Sequence, residues 1–239
     1  MSNINKLLLD VKHRPFELPQ GKWVYYQEWN NALFLHWKIP VEVLKELVPT
    51  ALTIDTIDGN AYVSLVAFTM QKIRPRNLPA LEFISNFDEI NIRTYVTHKG
   101  KKGVYFLNIE AQKSLSTLIA KTLSRLPYSK SNIKRSATNY IATNSQKDSL
   151  FEAEYKIKET LTQKSDVDLW LTERYCLYLI QKNRMYRYDI HHKEWEVNRV
   201  EVSKLKLHYN LGPIALNNHP DLLHYSKGVA VVSWKKTQL

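Results

Sequence analysis

The chain is 239 residues long and carries a formal net charge of +11, with 34 lysines and arginines against 23 aspartates and glutamates. This length fits one large domain or two small ones, and a hydrophobic content of 44% is enough for a sizeable core. With 6 glycines a glycine-rich phosphate loop is not expected, and the single cysteine, Cys176, excludes an intramolecular disulfide and a cysteine-based zinc site. Apolar runs stay far below the ~20 residues of a membrane-spanning helix, and residues 1–11 hold no signal-peptide core, so we expect a cytoplasmic protein without membrane contact.

The positive charge has two interpretations. Its densest stretch runs from Lys121 to Arg135, and such a stretch can bind nucleic acid or an anionic surface. Elsewhere lysines and arginines alternate with acids, as they do on an ordinary solvated surface. We favour the solvated surface and do not expect nucleic acid as the partner.

Three helices are predicted from hydrophobic spacing and from their end signals. They cover residues 41–48, 112–126 and 166–175. Pro40 can begin the first helix, and Pro127 ends the second. Ser165 and Asp168 resemble a capping box at the start of the third.

Strand signals dominate the rest of the chain. Alternating or continuous apolar patterns predict strands over residues 61–71, 90–98, 104–111, 151–158, 176–180, 185–192 and 229–234. Hairpin loops are predicted at His98–Gly103 and Gln181–Arg184. Sequential hairpins with few βαβ units favour an α+β class, with an antiparallel sheet or barrel, peripheral helices and a single domain over residues 1–239.

One group of candidate site residues lies on two neighbouring predicted strands. Alternation places Asn91, Arg93 and Tyr95 on one face, and the paired strand carries Asn108 and Glu110. An arginine fork would bind a carboxylate or phosphate, with Tyr and Asn orienting it. The alternative is a structural Arg–Glu pair.

A second group consists of Glu173, Arg174, His191 and His192. A metal site would combine imidazole with carboxylate. However, adjacent residues on a strand point to opposite faces, so the two histidines do not easily bind one ion, and no metal is expected. A buried histidine held by a carboxylate is the favoured interpretation.

The remaining sequence signals are weaker. His36 and His224 each adjoin an aromatic residue, which is typical of core or rim histidines more than of catalysts. Glycine-x-serine-x-glycine, P-loop, dinucleotide-binding and zinc-protease motifs are absent from the sequence. Hydrolase, kinase and dehydrogenase functions therefore have no support, and no cofactor is expected.

Several short segments together resemble one family of bacterial proteins. They read HRPF at 13–16, LFLHW at 33–37, NIRTYV at 91–96, LPY at 126–128, LTERYC at 171–176, IHH at 190–192 and LHY at 223–225. On these segments the chain resembles the DUF2071, or YqjF-like, family, which is similar in fold to acetoacetate decarboxylase. The resemblance implies an antiparallel β-barrel with its active site inside.

Two longer segments support the likeness to the decarboxylases. They are residues 41–55 and residues 123–130, which read LSRLPYSK. Decarboxylases have a Leu-Ser-x-x-Pro-Lys-Lys arrangement at the second segment, and its first lysine forms the Schiff base. Here Tyr128 and Ser129 occupy the lysine positions, with Lys130 after them. A tyrosine cannot form an imine, so the resemblance implies a pocket wall at Tyr128 without the Schiff-base mechanism.

These observations favour a protein that binds a small carboxylate- or carbonyl-containing ligand in an interior pocket. If it transforms that ligand, acid–base work would fall to Tyr128, Glu110 or a histidine. Two alternatives stay open. One is a non-catalytic binding, regulatory or homo-oligomeric protein, and the other is a basic protein that binds nucleic acid or an anionic surface.

Overall fold

A computed structural model describes residues 3–112 and 128–239 of the chain. The helices in these ranges are α1 (Asn3–Leu9), α2 (Val41–Lys45), α3 (Glu82–Ser85) and α4 (Asp166–Thr172). The strands are β1 (Tyr25–Ile39), β2 (Thr53–Ile54), β3 (Ala61–Pro75), β4 (Phe87–His98), β5 (Lys101–Ala111), β6 (Tyr128–Lys130), β7 (Asn132–Arg135), β8 (Asn139–Asn144), β9 (Ser149–Thr160), β10 (Cys176–Gln181), β11 (Arg184–His192), β12 (Asn198–Leu211), β13 (Ile214–Leu216), β14 (Leu222–Ser233) and β15 (Thr237–Gln238). None of the helices in these ranges has the length and apolar character that crossing a bilayer requires.

The strands form one sheet in the order β15-β11-β10-β5-β4-β3-β1-β14-β12-β9-β8-β7. In addition, β13 pairs with β12, β2 with β4, β6 with β5, and β11 with β14. Most neighbours are antiparallel, but β5 pairs in parallel with both β10 and β6. The sheet therefore departs from the predicted antiparallel arrangement at these two pairs. Parallel neighbours need a crossover of a dozen or more residues, and neither pair is joined by a hairpin.

The first and third predicted helices are confirmed, but both are shorter than predicted. The first ends at Lys45 and the third at Thr172, because Glu173 leaves helical geometry with φ −90° and ψ 83°. The capping box is present: Ser165 Oγ accepts a hydrogen bond from the Asp168 amide, and the Asp168 carboxylate accepts one from the Ser165 amide.

The predicted strands are confirmed, and both predicted hairpins have tighter turns than expected. Lys99 and Gly100 form one turn with φ 49° and 77°, and Lys182 and Asn183 form the other with φ 47° and 58°. Left-handed geometry at both central residues suits two-residue hairpins. The second predicted helix, over 112–126, lies outside the described residues except for its first residue.

The central strands are buried on both faces. Leu33 and Leu35 of β1 pack in a core that includes Phe151 of β9. Phe34, between them, points the other way and packs in a second core with Trp195. We call these two sides of the sheet the Leu33 face and the Phe34 face. Burial on both sides explains why β1 reads as a continuous apolar run.

One irregularity changes which side chains reach each face. Ile92 of β4 is opposite Asn108 of β5, whereas Arg93 is opposite Phe106, so Leu107 is an extra residue in β5. Such a bulge reverses the alternation of the strand beyond it. Phe106 therefore belongs to the Phe34 face and Asn108 to the Leu33 face.

Candidate functional site

The Phe34 face encloses a cavity of about 800 Å³. Cavities of this size hold small organic molecules. Aromatic and aliphatic side chains form much of the wall, among them Trp29, Phe34, Phe68, Phe106, Leu177 and Trp195. The polar side chains that reach it include Glu89, Asn91, Arg93, Tyr128, Thr172, Arg174 and His192.

Arg93 brings a buried cation into this apolar space. The residue is 9% exposed, and its Nε has no hydrogen-bond partner within residues 3–112 and 128–239. Its guanidinium lies 5.9 Å from the ring centres of both Phe34 and Tyr95. No ion pair among the described residues includes Arg93. Because a guanidinium removed from water needs a counter-charge, this end of the cavity is suited to an anion.

Arg174 supplies a second guanidinium, which is partly neutralised. Its Nη1 donates to Asp55 Oδ2 at 2.7 Å, and its Nε donates to the Trp170 carbonyl at 2.8 Å. Burial lowers the pKa of Arg174, and the Asp55 carboxylate acts against that shift. Nη2 has no partner. Arg174 is therefore held in position with one donor group left over.

Glu89 forms the acidic end of the cavity. Tyr128 Oη donates to Glu89 Oε2 at 3.0 Å, and Asn91 Nδ2 lies 3.5 Å from Glu89 Oε1. Burial raises the pKa of Glu89 to about 7, while the hydrogen bonds from Tyr128 and Asn91 act in the opposite direction. Burial and the nearby carboxylate raise the pKa of Tyr128 well above its usual value, so the phenol stays protonated.

Sequence reasoning missed Glu89. The predicted strand begins at Ile90, but β4 begins at Phe87, so Glu89 is inside the strand. Alternation then places it on the same face as Asn91 and Arg93, which is the signal that could have found it. Four residues of strand separate Glu89 from Arg93, or about 13 Å between their backbones. The cavity therefore has a cationic end and an acidic end.

His192 is a neutral member of the cavity wall. Its Nδ1 lies 2.6 Å from the Lys193 carbonyl, and its ring stacks on Tyr175 at 4.7 Å between centres. Burial lowers the pKa of His192 to about 4. His192 thus adds no charge at neutral pH.

Buried polar atoms without partners are concentrated in this cavity. They include Trp29 Nε1, Arg93 Nε, Arg174 Nη2 and Asn91 Oδ1, all from residues that line it. Unsatisfied buried donors and acceptors are uncommon in native proteins and call for a ligand, ion or water. Three of these four atoms are donors, so the cavity favours a ligand rich in acceptor oxygens.

Asn108 and Glu110 do not belong to this site, which corrects the expected grouping with Arg93. Both lie on the Leu33 face, because the extra residue in β5 reverses the alternation before them. Ser149 Oγ donates to Glu110 Oε1 at 2.9 Å, and Tyr209 Oη lies 3.4 Å from Oε2. Asn108 Oδ1 accepts from Lys147 Nζ. Glu110 is thus a structural group and not a partner of Arg93.

Tyr95 and His36 lie beside the cavity without lining it. Tyr95 Oη contacts the Leu171 carbonyl at 3.0 Å and Ser64 Oγ at 2.6 Å. His36 Nδ1 contacts the same hydroxyl at 2.6 Å, and its Nε2 lies 3.0 Å from Nδ1 of His224. All of these side chains are buried.

The histidine pair is divided between two environments, as strand alternation predicts. His192 faces the cavity, whereas His191 binds the N-terminal segment through the Leu7 carbonyl at 2.8 Å and Arg14 Nη1 at 3.0 Å. Burial lowers the pKa of His191 to about 4, so its Nδ1 accepts from the guanidinium. In the described ranges, no three His, Cys, Asp or Glu side chains are grouped to hold a metal ion.

Glu173 supports the wall from behind. It accepts hydrogen bonds from Tyr175 Oη and from the Trp195 amide, the latter at 2.9 Å. Burial raises the pKa of Glu173, and these two hydrogen bonds act against the shift. The carboxylate therefore orients Tyr175 and the wall residue Trp195, and Glu173 does not itself line the cavity.

The sequence resemblance aligns Tyr128 with the Schiff-base lysine of the decarboxylases. Lys130, two residues on, is exposed and is not part of the cavity wall. The lysines of the described wall are Lys235 and Lys236. Lys235 is exposed, and Lys236 Nζ lies 4.3 Å from the ring centre of Tyr186, so both stand at the mouth.

Of the basic stretch from Lys121 to Arg135, residues from 128 onward are described. Arg135 is used in the fold: it donates to Thr69 Oγ1 at 3.3 Å and to the Asn31 carbonyl, and its guanidinium lies 5.1 Å from the Tyr140 ring centre. This contact set explains Arg135 without a nucleic-acid partner.

Solved structures show which class of protein has this fold. The enzyme MppR of enduracididine biosynthesis, complexed with pyruvate, aligns with a TM-score of 0.62 over 94% of this chain and 93% of its own, at 10% identity. An acetoacetate decarboxylase-like enzyme from Sphingomonas wittichii RW1 aligns with a TM-score of 0.60 over 94% of this chain and 97% of its own, at 13% identity. The fold is thus a strand-rich α+β fold resembling the acetoacetate decarboxylase-like enzymes.

The sequence assigns the family within that class. Residues 26–230 match the DUF2071 family, which is described as an uncharacterized conserved protein. The protein YqjF of Bacillus subtilis (strain 168), described as uncharacterized, is 36% identical over 231 residues, covering 93% of this chain and 96% of that protein. The chain belongs to the DUF2071 family.

The raised pKa of Glu89 predicts how stability depends on pH. A carboxyl whose pKa rises from 4.5 to about 7 on folding stabilises the protein below pH 4.5, and that contribution is lost as the pH rises through 7. Glu89→Gln does not lose this contribution. We therefore expect the unfolding free energy of Glu89→Gln, relative to that of wild type, to increase by up to roughly 3 kcal/mol as the pH rises from 4.5 to 8. Urea titrations at both pH values measure it. Exposed Glu46→Gln serves as the control, and an equal pH dependence in both variants would contradict the assignment.

Proposed function

We propose that the chain binds a small organic anion in the cavity of the Phe34 face. The ligand has a carboxylate, a nearby carbonyl and an apolar body. The single observation that carries this proposal is the buried guanidinium of Arg93, which has no acidic partner among the described residues. Each part of the ligand corresponds to a different feature of the cavity.

The carboxylate is assigned to the Arg93 end. A guanidinium offers parallel N–H donors that match the two oxygens of a carboxylate, and such charge-assisted bonds are stronger than neutral ones. Arg174 Nη2 is a second free donor on the same wall. Arg174 Nη1 forms an ion pair with Asp55 Oδ2 at 2.7 Å. Among the described residues of the wall, Arg93 is therefore the arginine without a counter-charge.

The carbonyl and the apolar body are assigned to the rest of the cavity. Trp29 Nε1 is an unpartnered donor that a carbonyl oxygen can satisfy. The rings of Phe34, Phe68 and Trp195 offer an apolar surface that would exclude a strongly hydrated ligand. The structure of MppR with pyruvate supports this reading, since it is a 2-oxo acid complex on a similar fold.

We further infer that the pairing of β11 with β14 closes the central strands into the barrel that the decarboxylase resemblance implies. A closed ring of strands would shield the cavity from solvent on its sides. Ligand exchange would then pass the mouth near Lys235 and Lys236.

Isothermal titration calorimetry of the protein with 2-oxo-4-phenylbutanoate, and separately with its primary amide, tests this binding. We expect the acid to bind and the amide, which lacks the charge, to bind at least tenfold more weakly. Arg93→Gln should weaken binding of the acid by about 10- to 100-fold, because a hydrogen bond to a charged group contributes ~1.5–3 kcal/mol.

The matched control for this variant is Arg184→Gln, which removes an exposed guanidinium in the β11 hairpin and should leave affinity unchanged. Equal affinity for acid and amide, or equal loss in both arginine variants, would refute the assignment of Arg93. Thermal unfolding of both variants checks that the comparison is between folded proteins.

The bound carbonyl is not expected to form an imine. Tyr128 stands where the decarboxylases have their lysine, and it holds its proton in a hydrogen bond to Glu89. Incubation with 2-oxo-4-phenylbutanoate and sodium borohydride should leave the intact mass of the protein unchanged. A mass increase equal to the reduced adduct, with the site mapped to a lysine by peptide analysis, would show that an amine does reach the ligand.

A second candidate function adds chemistry to binding. A carboxyl with a pKa of about 7, hydrogen-bonded to a phenol inside a cavity, has the properties of a general base at neutral pH. A ligand whose carboxylate binds Arg93 would extend along the cavity toward Glu89, which lines the same cavity. Glu89 would then remove a proton from the carbon next to the carbonyl, and Trp29 Nε1 would donate to the enolate oxygen.

Proton exchange separates this candidate from binding alone. In deuterated buffer, the protein should speed loss of the C3 proton signals of 2-oxo-4-phenylbutanoate, measured by NMR. Glu89→Gln should reduce the protein-dependent rate by about 100-fold, and Glu46→Gln should not. If Glu89→Gln retains the full rate, the proton-transfer function fails while ligand binding stands.

A further inference from the structure

A buried hydrogen-bond network leads from beside Arg93 to the surface. We call it the histidine network, and it consists of Tyr95, Ser64, His36, His224 and Asp168. Its successive contacts measure 2.6 Å between Tyr95 Oη and Ser64 Oγ, 2.6 Å from there to His36 Nδ1, 3.0 Å between His36 Nε2 and His224 Nδ1, and 2.9 Å between His224 Nε2 and Asp168 Oδ1. The Asp168 side chain is 17% exposed, so this end reaches solvent.

The network adjoins the proposed anion site through the sheet. Ser64 of β3 is paired with His36 on one side and with Arg93 on the other. Cross-strand neighbours of this kind have Cβ atoms about 4.5–5.5 Å apart. Phe34 also bridges the two, with its ring centre 5.9 Å from the Arg93 guanidinium and 6.1 Å from the His36 ring. The charge of Arg93 therefore acts electrostatically on His36.

With both histidines neutral, the protons can be placed in one way from the Asp168 end. The carboxylate accepts, so His224 carries its proton on Nε2 and accepts at Nδ1. His36 must then donate from Nε2 and accept at Nδ1, and Ser64 must donate to that nitrogen.

This arrangement leaves one acceptor unsatisfied. Tyr95 has to donate its single proton to Ser64 Oγ, because the serine proton is already committed to His36. The Leu171 carbonyl, 3.0 Å from Tyr95 Oη, then loses its donor. The neutral network is therefore one proton short of full hydrogen bonding.

One added proton completes the network. His224 becomes an imidazolium and donates on both sides, to the Asp168 carboxylate and to His36 Nε2. His36 now donates from Nδ1 to Ser64, Ser64 donates to Tyr95, and the phenol is free to donate to the carbonyl. Every hydrogen bond reverses except the one to Asp168, and the new charge lies next to a carboxylate.

The charged groups around the pair decide when this proton binds. Burial, then His224, then Arg93 hold the pKa of His36 well below its usual value. Burial lowers the pKa of His224, and the Asp168 carboxylate raises it. Lys164 is a further opposing cation near His224.

Two further charged groups on this side have hydrogen-bond partners. Arg174 is bound to Asp55 at 2.7 Å, and Asp221 accepts from the Lys38 amide at 2.8 Å. Arg93 is thus the opposing cation that a ligand in the cavity can neutralise.

We propose that the histidine network takes up one proton from solvent when an anion binds at Arg93. The proposal rests on the proposed anion site and specifies its regulation by pH. Because coupling between two binding events is reciprocal, uptake of one proton makes anion affinity rise on acidification by up to about tenfold per pH unit.

Calorimetry with 2-oxo-4-phenylbutanoate at pH 7, in buffers of different ionisation enthalpy, measures the protons taken up. Since Glu89 also titrates near pH 7, the titration is run on Glu89→Gln as well as on wild type. We expect uptake to persist in Glu89→Gln and to vanish in Glu89→Gln/His224→Gln, while the anion still binds. Binding to Glu89→Gln without proton uptake would overturn the proposal.

A measurement without ligand tests the coupling independently of anion binding and of the His224 variant. Histidine ¹⁵N NMR follows protonation of the imidazoles in wild type, Arg93→Gln and the control Arg184→Gln. Removing the Arg93 cation should move the titration of the buried pair to higher pH, and the control should match wild type. Failure of the anion to bind would contradict the proposed function, whereas identical histidine titrations in wild type and Arg93→Gln would contradict the network's coupling.

Discussion

The site depends on one constraint, a buried guanidinium that has no counter-charge in the part of the chain that the structure describes. Arg93 stands in a sheet whose central strands are buried on both faces, so neither solvent nor an acid on its own strand neutralises it. Glu89, the acid of the same face, is about 13 Å away along β4 and is itself easily neutralised. Holding Arg93 in this position costs folding free energy that a bound anion would return. The proposed roles of the cavity, of its donors and of the neighbouring histidines all depend on that charge.

The sequence allowed the fold class, the capping box and the face shared by Asn91 and Arg93 to be predicted, because each depends on local periodicity or local hydrogen bonding. Two errors have one origin. Alternation assigns a side chain to a face only when the start of the strand and any extra residue within it are known. The extra residue Leu107 reverses β5 and sends Asn108 and Glu110 to the other face, and nothing in the apolar pattern marks it. Starting the predicted strand at Ile90, three residues after β4 begins, similarly hid Glu89.

The resemblance aligns Tyr128 with the lysine of the decarboxylases. A phenol in place of an amine would change the chemistry available in the cavity more than the ligands that fit it. A lysine at residue 128 would add a further cation and a nucleophile. Tyr128 instead adds a neutral phenol that donates a hydrogen bond to Glu89. Burial raises the pKa of Glu89 to about 7, and the hydrogen bond from Tyr128 acts against that shift. If the proposed function holds, a wall with one cation unpaired among the described residues and one acid of raised pKa would still recognise an oxo acid and would replace imine chemistry with proton transfer.

The pairing of strands explains why recognition and proton uptake would be linked in this fold. His36, Ser64 and Arg93 form a row across β1, β3 and β4, so a change of charge at one end acts at short range through buried groups. In such surroundings a charge is screened far less than at the surface. A histidine placed there for packing alone would be satisfied with neutral partners, but this network is complete only with one proton more. The proton that would complete the network and the anion that would pair with Arg93 carry opposite charges, so each would stabilise the other.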